Sequence, residues 1–292
     1  MISMPCKHTG AFTVQVGSRF VALASRLKAA FFDQYGVLHD GRSPYLGAID
    51  ALAALKSRGL RIVVLSNSGR TGAANAQRMA TLGFGRELYD FLVTSGDVAR
   101  TLLKSGRVPV RLTPETRCFI ISSSGGDEFV RALGLVSAAQ SGEADLVVIA
   151  GGRTDHLSHD DYRELLAPAA RRGAPCVCIN PDKLMLTAAG NAPGAGRIAE
   201  IYQKLGGDVT WIGKPFSEIY QAAASLSDVR DPRDVICVGD SLEHDIVGAH
   251  TFGAFAALVR TGVLADLSDK ELAAEIGRHG VPPDFVIENL AC

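Results

Sequence analysis

With 292 residues, 47% hydrophobic and 21% charged, the chain has material for about two domains and an ample apolar core. Thirty Lys and Arg against 31 Asp and Glu leave a formal net charge of −1, which excludes a global field for nucleic acid or an anionic membrane. A negatively charged substrate must be held by local groups. No apolar run approaches the ~20 residues that span a bilayer, and the opening MISMPCKHTGAFTVQV lacks the basic flank and apolar centre of a signal peptide. The expected setting is the cytoplasm. The cysteines at 6, 118, 176, 178, 237 and 292 form no CxxC pair and no zinc-finger spacing. Cys176, Cys178 and Cys237 lie in β-branched apolar runs and read as small buried hydrophobes.

Short apolar runs alternate with amphipathic stretches along the chain. In order they are AAFFDQYGVL (29–38), RIVVLSNS (61–68), RCFIISSS (117–124), ADLVVIAGG (144–152), PCVCIN (175–180), VTWIGKP (209–215), DVICVGDS (234–241), AFAALV (254–259) and DFVIENL (284–290). None alternates strictly, which is how a parallel strand covered on both faces reads. Between them lie punctuated helices. Ser158 with Asp161 spells a capping box, Tyr162, Leu165, Leu166 and Ala169 follow at helical spacing, and Gly173 stops the run. Ile49, Leu52 and Ala53 repeat the pattern ahead of Gly59. Strand–helix alternation on this scale predicts an α/β protein, a doubly wound parallel sheet of the Rossmann kind. The helix-poor stretch SGRVPVRLTPETR (105–117) and the Gly- and Pro-rich AAGNAPGAGR (188–197) suggest a second α/β unit inserted into the first. The expected division is 1–97 plus 189–292 for the core and 98–188 for the insert.

Ligands of open α/β sheets bind beyond the carboxyl ends of strands. At those ends stand Asp33-Gln34-Tyr35-Gly36, Ser66-Asn67-Ser68-Gly69, Lys214-Pro215, and Asp240 with Asp245 five residues on. The expectation is that they converge on one edge of one sheet. Three carboxylates in one crevice repel each other unless a hard cation sits among them, and magnesium meets that need with oxygen ligands. A carboxylate can then attack phosphorus. The Ser66 hydroxyl, the Asn67 backbone N–H and the Lys214 ammonium suit the equatorial phosphoryl oxygens, and Lys214 would hold Asp33 ionised.

The order hhhhDxxGVL, hhhhSN, hxGKP and hhxGDSxxxDI resembles the four motifs of the haloacid dehalogenase superfamily. INPDKL (179–184), the GAG-led helix (194–205), IGKPFSEIY and VGDSLEHDIVGAHTFGA add a resemblance to its class IIA members, phosphatases of small phosphorylated compounds. That resemblance, over most of 28–290, implies Asp33 as nucleophile and metal ligand. It implies the carbonyl of Tyr35 and Asp240 as further magnesium ligands, with Asp245 supporting them. Gly36, Ser66, Asn67, Ser68 and Lys214 become the expected phosphate contacts, and Asn180 and Asp182 join them as substrate contacts near where the insert rejoins the core. The insert resembles an α/β cap that selects the leaving group of a small phosphorylated substrate, and the resemblance makes a homodimer the candidate assembly.

One position departs from the family pattern. The acid that usually stands two residues after the nucleophile is here Tyr35, a poor base at neutral pH. General acid–base help is worth about 10²–10⁴-fold, so slow dephosphorylation of Asp33 is expected unless His39, Asp40 or His244 substitutes. A catalytically weak relative that binds a phosphometabolite as a sensor is the rival reading. Three other patterns read as structure. Gly125-Gly126-Asp127-Glu128-Phe129 precedes a helical stretch, not a hairpin; His156, His159, Asp160 and Asp161 read as a solvated helix start; Trp211 reads as core.

Overall fold

The computed structural model describes residues 14–15, 24, 26–123, 126–152, 157–187 and 190–291. In chain order its strands are β1 (Val14–Gln15), β2 (Ala29–Asp33), β3 (Arg61–Ser66), β4 (Phe91–Thr94), β5 (Arg117–Ile121), β6 (Val136–Ser137), β7 (Leu146–Ile149), β8 (Cys176–Cys178), β9 (Leu184–Thr187), β10 (Gly190–Pro193), β11 (Val209–Trp211), β12 (Val235–Gly239), β13 (Phe255–Val259) and β14 (Phe285–Ile287). The helices are α1 (Ala48–Ser57), α2 (Gly72–Thr81), α3 (Ser95–Lys104), α4 (Gly126–Ala132), α5 (His159–Arg171), α6 (Ala195–Lys204), α7 (Ser217–Leu226), α8 (Val247–Phe252) and α9 (Asp269–His279). Among the described residues no helix is long and apolar enough to cross a membrane.

The larger sheet runs β1-β14-β13-β12-β2-β3-β4, with every pairing parallel. Its central strands show why the apolar runs do not alternate in character. Phe31, Val63, Leu65, Val235 and Cys237 face one apolar layer, while Ala30, Phe32, Ile62, Val64, Ile236 and Val238 face the other. Side chains alternate across a strand, and both faces are covered, so every position must be apolar. Helix α1 seals the second layer through Leu52 and Leu55, and α7 and α9 seal the first through Ile219, Tyr220, Leu272 and Ile276. The chain winds outward from β2 through β3 to β4, then restarts at β12 on the other side of β2 and winds away through β13 and β14. The switch point of this doubly wound sheet therefore lies between β2 and β12.

The smaller sheet runs β11-β8-β7-β5-β6, also parallel, and β9 with β10 forms an antiparallel hairpin. Strand β11 corrects one expectation. VTWIGKP was placed on the rim of the first sheet, but Val209, Thr210 and Trp211 pair with Cys176, Val177 and Cys178 of the second. Helix α6 packs on the same strands, so this unit reaches past 188 to Trp211. The capping box at Ser158 and Asp161 is formed at the start of α5. Helix α4 occupies the Gly126-Asp127-Glu128-Phe129 stretch, whereas Gly125 and His156 lie outside the described residues. Cys118, Cys176, Cys178 and Cys237 are buried and free, and Cys176 and Cys178 share one face of β8. Trp211 stands at the edge of the core: it is half-buried, packs against the apolar cluster of the smaller sheet and stacks on Phe216 with ring centroids 6.1 Å apart.

The two sheets share an apolar layer. Val98, Ala99, Leu102 and Leu103 of α3 belong to the same cluster as Val93 of the larger sheet and Cys118, Leu146, Val148 and Val177 of the smaller one. Helix α3 packs on α7 on one side and α4 on the other.

Candidate active site

Asp33 is the last residue of β2, and Asp240 is the first residue after β12, its parallel neighbour at the switch point. Asp245 follows one irregular helical turn later, in Leu242–Ile246, where Ser241 accepts from the His244 N–H. Ligand oxygens of Asp33, Asp240 and Asp245 lie within 4.8 Å of one another. The Lys214 ammonium enters from beyond β11 and bridges Asp33 Oδ1 at 2.6 Å and Asp245 Oδ1 at 2.7 Å. So the acids meet at the rim of one sheet as expected, but their cation is delivered by the other sheet.

The backbone is shaped around these groups. Gly36 has φ 90°, the left-handed region open to glycine, and a Cβ there would stand 2.1 Å from Asp240 Oδ2. A Cβ at Gly262 would meet the same oxygen at 1.7 Å. The Val263 N–H donates to Asp240 Oδ2 at 2.8 Å, and Thr261 Oγ1 donates to the Gly36 carbonyl at 2.7 Å. The 261–263 turn, beyond the end of β13, was missed from sequence; its signal is a Thr-Gly pair directly after a buried strand. Asp33 Oδ1 also accepts from the Gln34 N–H at 2.7 Å, and Asp245 Oδ2 from the Ser241 N–H at 3.1 Å.

Burial pushes the Asp33 carboxyl well above the usual carboxylate range; Lys214 opposes the shift, and Asp245 and Asp240 add to it. Burial, then Asp245, pushes Asp240 up to about 7. For Lys214 burial alone favours the neutral amine, but Asp245 and Asp33 outweigh it and hold the ammonium above its ordinary value. The lysine is therefore charged, and among the described residues it is the one cation bridging these acids. The upward shifts of Asp33 and Asp240 mark carboxyl groups crowded together without enough positive charge, and that oxygen-donor set, beside two positions with no room for a Cβ, fits a hard divalent cation. Asp33, Asp240 and Asp245 are the side chains able to hold one.

The second and third motifs interlock. Ser66 ends β3, beside Asp33 through the Asp33–Leu65 register, and its hydroxyl has no protein partner among the described residues. Ser68 Oγ accepts from Asn75 Nδ2 at 3.2 Å and the Arg70 N–H at 3.3 Å, so Ser68 shapes the loop. The Asn67 carboxamide takes Lys214 N–H at 2.7 Å and donates to the Lys214 carbonyl at 3.1 Å and Asp182 Oδ1 at 2.8 Å. Asn180 Oδ1 accepts from the Asp182 N–H at 3.0 Å.

Tyr35 turns its ring over Gly41, 5.7 Å and edge-on from the His39 ring, and remains 45% exposed. Of the candidates for its missing acid function, His39 is buried and committed: Nδ1 accepts from the Gly41 N–H at 2.9 Å, which places the proton on Nε2. Gln34 Nε2 sits 3.2 Å from that Nε2 while Gln34 Oε1 has no partner, so the carboxamide belongs rotated by 180°, with oxygen toward the histidine. Burial, then Arg78, pulls His39 down to about 4, so its ring is neutral. Asp40 caps its own turn on the Arg42 and Ser43 N–H groups. His244 is held by Ser241 Oγ at 3.1 Å, with Nε2 3.9 Å from Asp182.

A haloacid dehalogenase-like hydrolase family model matches residues 30–136, and a second HAD-hydrolase-like model matches residues 211–292. The span between them carries most of the smaller sheet. Human chronophin is 27% identical over 285 residues, covering 94% of this chain and 95% of that protein. The crystal structure of a haloacid dehalogenase-like hydrolase from Brucella suis superposes with a TM-score of 0.77 at 30% identity, over 92% of this chain and 97% of that one. A glycerol phosphate phosphatase from Mycobacterium tuberculosis, solved in complex with magnesium, gives a TM-score of 0.70 at 27% identity, over 91% of this chain and 77% of that one. With four motifs in order and their side chains assembled at one switch point, the chain belongs to the class IIA branch of the haloacid dehalogenase-like hydrolases.

Proposed function

We propose that this hydrolase is a magnesium-dependent phosphatase for a small phosphorylated metabolite, of the sugar phosphate or glycerol phosphate kind, working through an aspartyl phosphate on Asp33. The observation that carries the reading is the Lys214 ammonium seated between Asp33 and Asp245 with Asp240 alongside. In this reading a carboxylate oxygen of Asp33 attacks phosphorus as the bond to the leaving oxygen breaks, and water then cleaves the acyl phosphate and restores the carboxylate. Lys214 opposes the burial that favours the protonated Asp33 carboxyl, and a bound cation would act in the same direction. The Ser66 hydroxyl and the Asn67 N–H hold phosphoryl oxygens. Asp33, Asp240, Asp245 and the Tyr35 carbonyl would hold the metal, which supplies charge stabilisation to the transferring group. Names of relatives support the substrate class, one of them a glycerol phosphate phosphatase in complex with magnesium.

The test is phosphate release from a panel of sugar, glycerol and aryl phosphates, with magnesium and with chelator. Turnover that requires magnesium and a preferred polyol or sugar phosphate is the expected result; no release from any of them defeats the reading. Tyr35 favours a second reading, a weak or inactive relative that binds a phosphometabolite as a sensor. Tyr35→Asp separates the two. In a working phosphatase it raises turnover of p-nitrophenyl phosphate by about 10-fold or more. A sensor shows tight binding with no gain.

A further inference from the structure

One carboxylate oxygen of Asp182, Oδ1, is engaged by the Asn67 side chain at 2.8 Å. We infer that Asp182 is a positioning residue for Lys214, acting through the Asn67 carboxamide; this deepens the phosphatase reading and rests on it. The Asn67 side chain has one acceptor oxygen and two N–H donors. Its oxygen takes the Lys214 N–H at 2.7 Å, one donor goes to the Lys214 carbonyl at 3.1 Å, and the nitrogen also reaches Asp182 Oδ1 at 2.8 Å. The amide thus grips the lysine's backbone N–H and carbonyl, one on each side of its Cα, and both of its donors are engaged by the protein. A carboxylate only accepts, so Asp182 forces the NH2 end toward itself and the oxygen end toward the Lys214 N–H.

Every neighbouring segment is tied into this contact. Asn180 Oδ1 holds the Asp182 N–H at 3.0 Å. A Cβ on Gly213 would meet Asn67 Oδ1 at 2.6 Å and Pro181 Cδ at 2.8 Å, so the three segments cross where no side chain fits. Ser95 Oγ donates to the Ile179 carbonyl at 2.5 Å and contacts the Ser68 carbonyl at 3.1 Å, pinning the same strand end to the same loop. From this seat the lysine stem delivers Nζ to Asp33 at 2.6 Å and Asp245 at 2.7 Å. Displacing the peptide by even ~1 Å would loosen both ion pairs, an error of the size that costs an enzyme up to ~10²-fold.

Two substitutions separate positioning from substrate contact. Asp182→Asn keeps an acceptor oxygen for Asn67 and loses the charge; Asp182→Ala loses both. Asp182→Ala is expected to lower kcat by about 10- to 50-fold, leave KM within about 2-fold, and do so equally for p-nitrophenyl phosphate and glycerol phosphate. Asp182→Asn is expected to recover to within about 3-fold of the wild type. A raised KM with unchanged kcat, a loss that depends on the leaving group, or an Asn variant as damaged as the Ala variant overturns the inference. Hydrogen exchange at the Lys214 amide decides the point without turnover. Exchange should rise at least about 10-fold in Asp182→Ala and stay protected in Asp182→Asn, while unchanged exchange in Asp182→Ala overturns the assignment. Wild-type protein that releases no phosphate yet shows this exchange pattern would defeat the phosphatase reading alone.

Discussion

The two parallel sheets are built by the same rule and used for different ends. Both have strands that are apolar on both faces, and both change winding direction partway across. At the switch point of the larger sheet, between β2 and β12, stand Asp33 and Asp240, with Asp245 one turn on. In the smaller sheet the corresponding ends of β5 and β7 carry Ser122, Ser123, Ala150 and Gly151. Small residues there permit close approach: a Cβ on Gly69, in the loop after β3, would meet Ala150 Cβ at 2.9 Å. Architecture makes the crevice; the residues loaded into it decide whether it does chemistry or packs as a cover.

Asp33→Asn gives the largest expected break in this contrast. It should reduce magnesium-dependent phosphate release at least ~10³-fold while the urea midpoint stays near wild type, because the nucleophile is lost and the fold is not. Residual activity above a tenth of wild type would move the nucleophile elsewhere. Lys214→Met comes next and acts on both scales. It leaves Asp33 and Asp245 buried with no cation, an unpairing worth about 3–5 kcal/mol in urea unfolding without magnesium. Added magnesium should return part of that stability, and none returned would argue against a cation site there.

A smaller effect sharpens the comparison through pH. His39, in the loop after β2, is held neutral down to about 4 against an ordinary value of 6.5. A depressed histidine contributes stability that is complete above about 6.5 and disappears as pH falls toward 4, since the unfolded chain takes up the proton first. Wild type should therefore lose about 2 kcal/mol between pH 7 and pH 4.5 that His39→Gln does not lose, after discounting for solvent screening. Parallel profiles for the two proteins would show that the ring titrates freely. The smallest effect belongs to the other switch point: Ser123→Ala should change stability by less than ~0.5 kcal/mol and turnover by less than about 2-fold.

Burial on both faces made β2, β3, β7, β12 and β13 legible, because no other environment tolerates such unbroken apolar runs. The acids at their ends followed from strand order alone. Partner choice did not. Nothing in VTW says whether it will lie beside Cys176–Cys178 or beside β3, since parallel neighbours share no local signal, and so Lys214 was assigned to the wrong sheet's rim. The Asn67–Asp182 bond joins residues 115 apart, and a hydrogen bond between two polar loops leaves no periodicity to detect. Gly262 went unnoticed because a glycine that makes room for a carboxylate looks, in a string of letters, like any turn.

Helix α3 belongs to neither unit in isolation. Val98, Ala99, Leu102 and Leu103 lie in one apolar layer with strands from both sheets. Surgery that lifted out the inserted unit would bare that helix on one flank, and a graft from a relative would have to match its side chains as well as the loop joints. Exchange of the inserted unit between relatives is thus an operation on a shared spine, in which helix and insert must travel together.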